Sequence, residues 1–420
     1  MNLNFRTTCR ACGSSSLTKV IDIGEQYLQG LFIKPGKPLP PSEKYPTSLV
    51  WCDKTKNAQG CGLLQMSCTV PPKVLYTTYW YRSGINQTMR DHLRGIAKEA
   101  MDMVEKTAAR VLDIGCNDGT LLRYFPKESK KFGIDPSDVA RDLDGEIAVI
   151  NDIFPSEELN KKTHGEPFDI IASIAMFYDL ENPIDFVRNV KQHLSDQGLW
   201  IFEMSYMPTM LKMNAYDTIC HEHLEYYSLA VIEYILKKAE MKLIKVSLND
   251  INGGSIRCFA THIDNPEFRK FEHSQFIREL LQAESDLGLH TEKPYREFQV
   301  RIDAHKEELS SLLNNLKREG KRIHVYGAST KGNTILQLCG IDNSIIDYAA
   351  DRSPDKHGAR TLGTNIPIIS EAESRAIRPD YYLVLPWHFR KEFLERERES
   401  LEQGVGMIFP LPVVEIIKHK

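Results

Sequence analysis

The sequence predicts an α/β chain with two parallel, helix-covered sheets behind a small metal-stabilised module. Three observations carry this expectation: short apolar runs alternating with amphipathic helical stretches, a glycine-rich turn closing the first run, and four cysteines within the first 61 residues. A length of 420 residues suits two or three domains. A hydrophobic fraction of 42% and a charged fraction of 26% are ordinary for a globular protein. The formal net charge of −4 leaves no cationic surplus to attract a polyanion, so nucleic acid is not an expected partner. No apolar run approaches the ~20 residues of a membrane span, and the opening MNLNFRTTCRAC lacks the apolar core of a signal peptide. Nine cysteines in such a chain point to reduced thiols and a cytoplasmic location.

The first module is expected over residues 1–75. Cys9 and Cys12, in CRAC, have the two-residue gap that lets both thiolates reach one tetrahedral Zn²⁺. Cys52 and Cys61, in WCDKTKNAQGC, would complete the set once a loop closes the wider gap. The surrounding FIKPGKPLPPSEKYP is too poor in apolar residues to hold a fold alone, and a metal would supply the missing stability. Four buried thiols without a metal would read the same, and Cys68 is close enough to compete as a ligand.

A second domain is expected over residues 76–263. The helical pattern INQTMRDHLRGIAKEAMDMVEKT precedes the runs ARVLDIGC, KKFGIDP, EIAVIND, FDIIASIAM and GLWIFEM. In VLDIGCNDGTLL the run ends at Asp113, and Gly115 and Gly119 let backbone approach a ligand closely. The spaced glycines of a dinucleotide fingerprint and the lysine of a phosphate loop are both missing. An acidic residue beside the turn suits a ligand carrying an ammonium group, and S-adenosylmethionine is such a ligand. Asp135 lies about 20 residues beyond the turn, where a carboxylate accepts ribose hydroxyls. Asp152 ends the third run, at the place of an adenine amino group. A single Asp at a strand end would read as a helix cap; three in succession beside a glycine turn read as a nucleoside site.

Residues 264–320 form a charged, helix-patterned connector, and residues 321–420 repeat the alternation in RIHVYGA, NSIIDYAAD, YYLVLPW and VGMIFPL. Lys331 and Asn333, in STKGNT, stand at a strand-to-helix turn that presents N–H groups to anions, though a tight turn with a solvated lysine fits equally. Trp387 and His388 end a strand, where they could stack on a base but read rather as caps of the core. The densest polar stretch is YDTICHEHLEYYS, residues 216–228. It is too polar for a core and richer than a surface loop requires. If extended, it places His221 and His223 on one face and Glu222 on the other. Otherwise it is an irregular loop, and its polar groups, His221 above all, could instead satisfy one another between domains. Metal binding is disfavoured because the spacing is H-E-H, not the helical H-E-x-x-H.

These segments together resemble the sugar-nucleotide C-methyltransferases, three-domain enzymes that methylate a keto-deoxysugar carried on a nucleoside diphosphate. CRACG with GCGLLQ, VLDIGCNDGTLL with GIDPS and IASIAMFYDLENP, AYDTICHEHLEYYS with NGGSIR, and YGASTKGNT carry the likeness across essentially the whole chain. The resemblance implies a class I S-adenosylmethionine-dependent methyltransferase core between a zinc-binding domain and a C-terminal Rossmann-like domain. It implies zinc on Cys9, Cys12, Cys52 and Cys61. It implies a cofactor site lined by Tyr81, Asp113, Gly115, Asn117, Asp118, Asp135, Asp152 and Ser173. His223 would be the base, with Glu222 and His221 beside it. Tyr79, Tyr178, Cys220, Tyr226, Lys331 and Asn333 would face the substrate. Two departures stand out: members acting on antibiotic sugars carry Tyr where this chain has Cys220, and a His near Tyr178.

The chemistry then expected is proton removal beside a ketone, stabilisation of the enolate, and transfer of a methyl group to that carbon. Imidazole suits the first step because its ordinary pKa of ~6.5 keeps it largely neutral. Rival readings are an O- or N-methyltransferase on a related sugar nucleotide, a non-catalytic cofactor-binding protein, and an oxidoreductase using the C-terminal domain.

Overall fold

The computed structural model describes residues 3–76, 80–143 and 145–418. Near the N-terminus, β1 (Leu17–Gln26), β2 (Tyr45–Cys52) and β3 (Leu64–Met66) form an antiparallel sheet. Val20 and Ile21, although consecutive, are both buried, and the register shift between Lys19 and Ile21 accounts for this. A bulged residue lets neighbours leave strict alternation.

Helix α1 (Gln87–Val104) opens the middle domain. Its buried residues, Met89, Leu93, Ile96, Ala97, Ala100 and Met103, recur at three- and four-residue spacing and form one stripe. Asn86 caps the helix by accepting the Met89 N–H. The runs read from the sequence become β4 (Arg110–Ile114), β5 (Lys130–Ile134), β6 (Ala148–Ile150), β7 (Phe168–Ile174) and β8 (Leu194–Ser205), with α2 (Pro183–His193) crossing between the last two. A two-residue strand β9 (Glu225–Tyr226) and helix α3 (Leu229–Lys238) follow, then β10 (Met241–Asn249) and β11 (Ser255–His262). The sheet order is β10-β11-β8-β7-β4-β5-β6. Helical crossovers make the first five parallel, while the short link between β10 and β11 makes that pair antiparallel.

Helices α4 (Ser274–Asp286) and α5 (Lys293–Arg318) join the domains. Glu284 on α4 is buried and accepts the Tyr206 hydroxyl and the N–H groups of Leu229 and Ala230, so a charged side chain from the connector completes the start of α3. The α5 stripe, from Tyr295 through Phe298, Ile302, Leu309 and Leu313 to Leu316, shares one core with Trp51 of the first sheet and with the C-terminal strands.

The C-terminal domain holds β12 (Ile323–Tyr326), α6 (Thr330–Leu338), β13 (Tyr348–Asp351), β14 (Ile368–Ser370), β15 (Tyr381–Val384), β16 (Gly406–Phe409) and β17 (Glu415–Ile417). Its order is β14-β13-β12-β15-β16-β17, parallel except at the last pair. Two further pairings stitch the chain together. β9 joins the first sheet beside β3, with Glu225 opposite Gln65, and Phe32–Ile33 pairs with Arg360–Thr361. Among the described residues, no helix is long and apolar enough to cross a membrane.

Candidate active site

The sulfurs of Cys9, Cys12, Cys52 and Cys61 lie within 4.8 Å of one another, with Cys9–Cys61 and Cys12–Cys52 each at 3.5 Å. Four Zn–S bonds of about 2.3 Å place tetrahedral sulfurs at comparable separations, so the donor set fits Zn²⁺. Cys68 is outside this group, and its thiol points to the Pro46 carbonyl.

A cavity of about 490 Å³ opens where the carboxyl ends of both parallel sheets meet. On the middle-domain wall stand Asp113, Asp135 and Asp152, at the ends of β4, β5 and β6. Gly115, at φ +77°, turns the chain beside Met176; a Cβ there would lie 3.1 Å from the Met176 Cγ and would also be strained by the left-handed backbone. Asp135 accepts the N–H groups of Asn117 and Ser137, each at about 2.9 Å or less, which fixes the turn around its carboxylate. Asn117 in turn donates to the Tyr81 carbonyl and accepts from the Ser83 N–H, tying the 80–85 segment over the cavity. Burial, then the Asp135 and Asp118 charges, push the Asp113 carboxyl well above the usual range. A cationic group placed there would relieve that cost. Asp152 is held low by the Ser156 hydroxyl and the Ile153 N–H.

His223 lies on the same cavity, its ring centroid 4.2 Å from that of Tyr178. Its Nδ1 sits 2.8 Å from the Thr218 carbonyl. A carbonyl only accepts, so Nδ1 carries the proton and Nε2 keeps its lone pair. Burial, assisted by the Lys331 charge, lowers its pKa to about 3. Glu222 lines the cavity beside it, and burial raises its carboxyl. Lys331 reaches across from the C-terminal domain, donating to the Asn252 carbonyl at 2.8 Å.

Other predicted residues lie elsewhere. His221 does not line the cavity: it is buried, with Nδ1 2.7 Å from Gln29 Oε1 and Nε2 3.3 Å from the Thr47 hydroxyl. Asp118 is turned to the Gly84 N–H and the Thr120 hydroxyl, and Ser173 accepts the Trp200 indole N–H inside the core. Cys220 and Tyr226 are buried behind the cavity wall, and Asn333 donates to the Gln29 carbonyl. Tyr79 lies outside the described residues. Sequence reasoning missed Glu203, which ends β8 on the cavity and is held by His92, Arg257 and Asn249. It also missed Asp351, which ends β13 and accepts the Ala328 and Ser353 N–H groups just as Asp135 accepts its pair. Both stand at strand ends, the same signal that marked Asp113. His388, read as a core cap, lines the cavity instead.

The middle-domain strand order, counted within the sheet, is 3-2-1-4-5-7-6 with the seventh strand antiparallel, and the glycine turn and carboxylates sit at the carboxyl ends of strands 1 to 3. Fold and site define a class I S-adenosylmethionine-dependent methyltransferase. Comparisons with known proteins narrow this. Family models described as "Putative zinc binding domain", "Methyltransferase domain" and "C-methyltransferase C-terminal domain" match residues 9–76, 82–246 and 250–412. The C-methyltransferase NovU of Streptomyces niveus is 28% identical over 422 residues, covering 97% of this chain and 96% of that protein. A malonyl-[acyl-carrier protein] O-methyltransferase of Bacillus cereus is 24% identical over 259 residues, covering 57% of this chain and 92% of its own. A methyltransferase structure from Clostridium acetobutylicum covers 41% of this chain and 92% of its own at 12% identity with a TM-score of 0.33, a likeness too partial to carry an argument. The chain is thus an S-adenosylmethionine-dependent methyltransferase in fold and class, similar over nearly its whole length to a C-methyltransferase, with a four-cysteine donor set in a segment that matches a zinc-binding domain.

Proposed function

We propose that the protein methylates a carbon of a nucleoside-diphosphate-linked 4-keto-deoxysugar, with His223 as the base. The observation that carries this reading is the shared cavity: a neutral imidazole with its Nε2 lone pair available lies on the same wall system as the strand-end carboxylates. Asp113, Gly115, Asn117, Asp135 and Asp152 hold the cofactor, with Tyr81 over it. Asp351, Lys331 and Lys356, on the opposite wall, suit a ribose and its diphosphate; Lys356 is fixed there by the Ala328 carbonyl.

In this scheme His223 Nε2 takes the proton from the carbon next to the ketone and becomes imidazolium. The electron pair of that C–H bond passes into the enolate, whose oxygen accepts a hydrogen bond from a cavity donor such as His388 or Tyr178. S-adenosylmethionine, when bound, supplies the electrophilic methyl group to which the carbon bonds, and S-adenosylhomocysteine leaves. Thr218 holds the imidazole tautomer throughout. Lys331 depresses His223 in the free enzyme, so a bound diphosphate beside Lys331 would restore basicity when substrate is present.

The working form of His223 is the neutral one, which persists above its lowered pKa. The profile of kcat/KM, which reports the free enzyme, is therefore expected to carry no acid limb near 6.5 and to hold down to about pH 5. A limb centred near 6.5 would contradict the assignment. The function itself is tested by offering isotope-labelled S-adenosylmethionine with a panel of nucleoside-diphosphate 4-keto-6-deoxyhexoses and reading products by mass spectrometry. A carbon-bound methyl on one of them is the expected result; label on oxygen or nitrogen alone, or none, would overturn it.

A further inference from the structure

We infer that the Gln29–Gly30 dipeptide of the zinc-binding domain clamps the catalytic loop, with Gln29 a positioning residue for His223. The inference rests on the reading of His223 as base. The loop has little regular structure of its own. Residues 216–218 form one 3-10 turn and Glu225–Tyr226 a two-residue strand, so the intervening CHEH must be placed by tertiary bonds. Gln29 supplies them. Its side chain is fully buried, which is costly for an amide without partners. Oε1 accepts both the backbone N–H of His221 at 3.2 Å and its Nδ1–H at 2.7 Å. The Gln29 carbonyl accepts the Asn333 amide at 2.7 Å, and Nε2 donates to Gln26 Oε1 at 2.9 Å. The next residue continues the contact: the Gly30 N–H hydrogen-bonds the Glu222 carboxylate. A Cβ at Gly30 would lie 2.0 Å from Glu222 Oε1 and 3.4 Å from the Thr330 hydroxyl.

One dipeptide thus touches His221, Glu222 and the C-terminal turn at once. His221 is the hinge of this device. Its ring is locked between Gln29, Thr47 and an edge contact with Tyr45, leaving Glu222 and His223 to face the cavity. His223 is tied to the same loop by its own N–H to the Cys220 carbonyl at 3.1 Å, so releasing His221 shifts the base with it. A displacement near 1 Å costs about 10²-fold in rate.

The test uses the full-length zinc-loaded protein. Gln29→Leu keeps the volume and removes the acceptor. Gln29→Glu keeps the acceptor, and Gln26, whose Nε2 has no hydrogen-bond partner among the described residues, can rotate to donate to it. With the keto-sugar panel, Gln29→Leu is expected to lower kcat by about 10²-fold while KM and cofactor affinity stay within about threefold, and Gln29→Glu to recover most of kcat. In histidine ¹⁵N spectra, the His221 Nδ1–H signal should persist in Gln29→Glu and change in Gln29→Leu. Should Gln29→Leu not fold, Gly30→Ala replaces it: its methyl displaces Glu222, and kcat should fall with zinc content intact. Wild-type kcat in Gln29→Leu or Gly30→Ala, or equal impairment in Gln29→Leu and Gln29→Glu, would overturn the inference. If the wild-type protein methylates nothing in the panel, the substrate reading fails while the spectra still test the clamp. If His223→Ala keeps turnover, the base reading fails separately.

Discussion

His223→Ala is expected to lower kcat by about 10³-fold while cofactor affinity changes by less than about twofold. The size follows from what the residue would supply. General-base catalysis contributes typically 10²–10⁴-fold, and no other imidazole in the cavity has its Nδ1–H fixed by a carbonyl, among the described residues. The unchanged affinity follows from placement: the proposed cofactor residues Asp135 and Asn117 bond to Ser137, Tyr81 and Ser83 and not to the 216–228 loop. Stopped assays with single-turnover product counting, alongside calorimetric cofactor titration, read both quantities. Turnover within about threefold of wild type would refute the base assignment.

The second large effect concerns a residue remote from the chemistry in sequence. Cys52→Ser is expected to abolish stoichiometric zinc and to reduce turnover by more than about 10²-fold. Zinc binding and folding of such modules are coupled, with apparent energies of about 10–16 kcal/mol in small zinc peptides. Here the module does more than fold itself. β9 pairs with β3, only a few residues beyond Cys61, and the Met66 N–H donates to the Leu224 carbonyl at 2.8 Å. Loss of the metal should therefore loosen the strand that ends the 216–228 loop, as well as the Gln29 contacts. Metal content by elemental analysis and amide exchange over residues 216–228 check the two parts. Full activity in a zinc-free protein would contradict the coupling.

What the sequence revealed and what it hid divide by range. Asp113, Asp135 and Asp152 were legible because each ends an apolar run beside a turn, and both features lie within a few residues. The cysteine quartet was legible from spacing, although only the fold removed Cys68 from the competition. Asp118 and Ser173 share the same neighbourhood yet turn to Gly84 and Trp200, partners that no local pattern announces. The pair His221 and His223 was the harder case. Of the two conformations the sequence allows, an extended strand and an irregular loop, the chain takes the loop, and His221 is claimed by Gln29, 192 residues earlier. The density of YDTICHEHLEYYS thus has a physical cause. Tyr216 bonds to His305 of α5, Asp217 to Trp387 of the C-terminal domain, and Glu225 to the Leu180 N–H. A loop held by three domains needs a polar group for each. Glu203 and Asp351 carry the same strand-end signal, but neither has a glycine turn beside it in the sequence to mark it out.

The most direct test of the central claim is solvent deuterium exchange into a 4-keto-sugar nucleotide, followed by mass spectrometry with S-adenosylhomocysteine in place of the methyl donor. Deuterium should enter the carbon beside the ketone with the wild-type protein and not with His223→Ala. Absence of exchange in the wild type, or equal exchange in both, would mean that this imidazole removes no proton from the sugar.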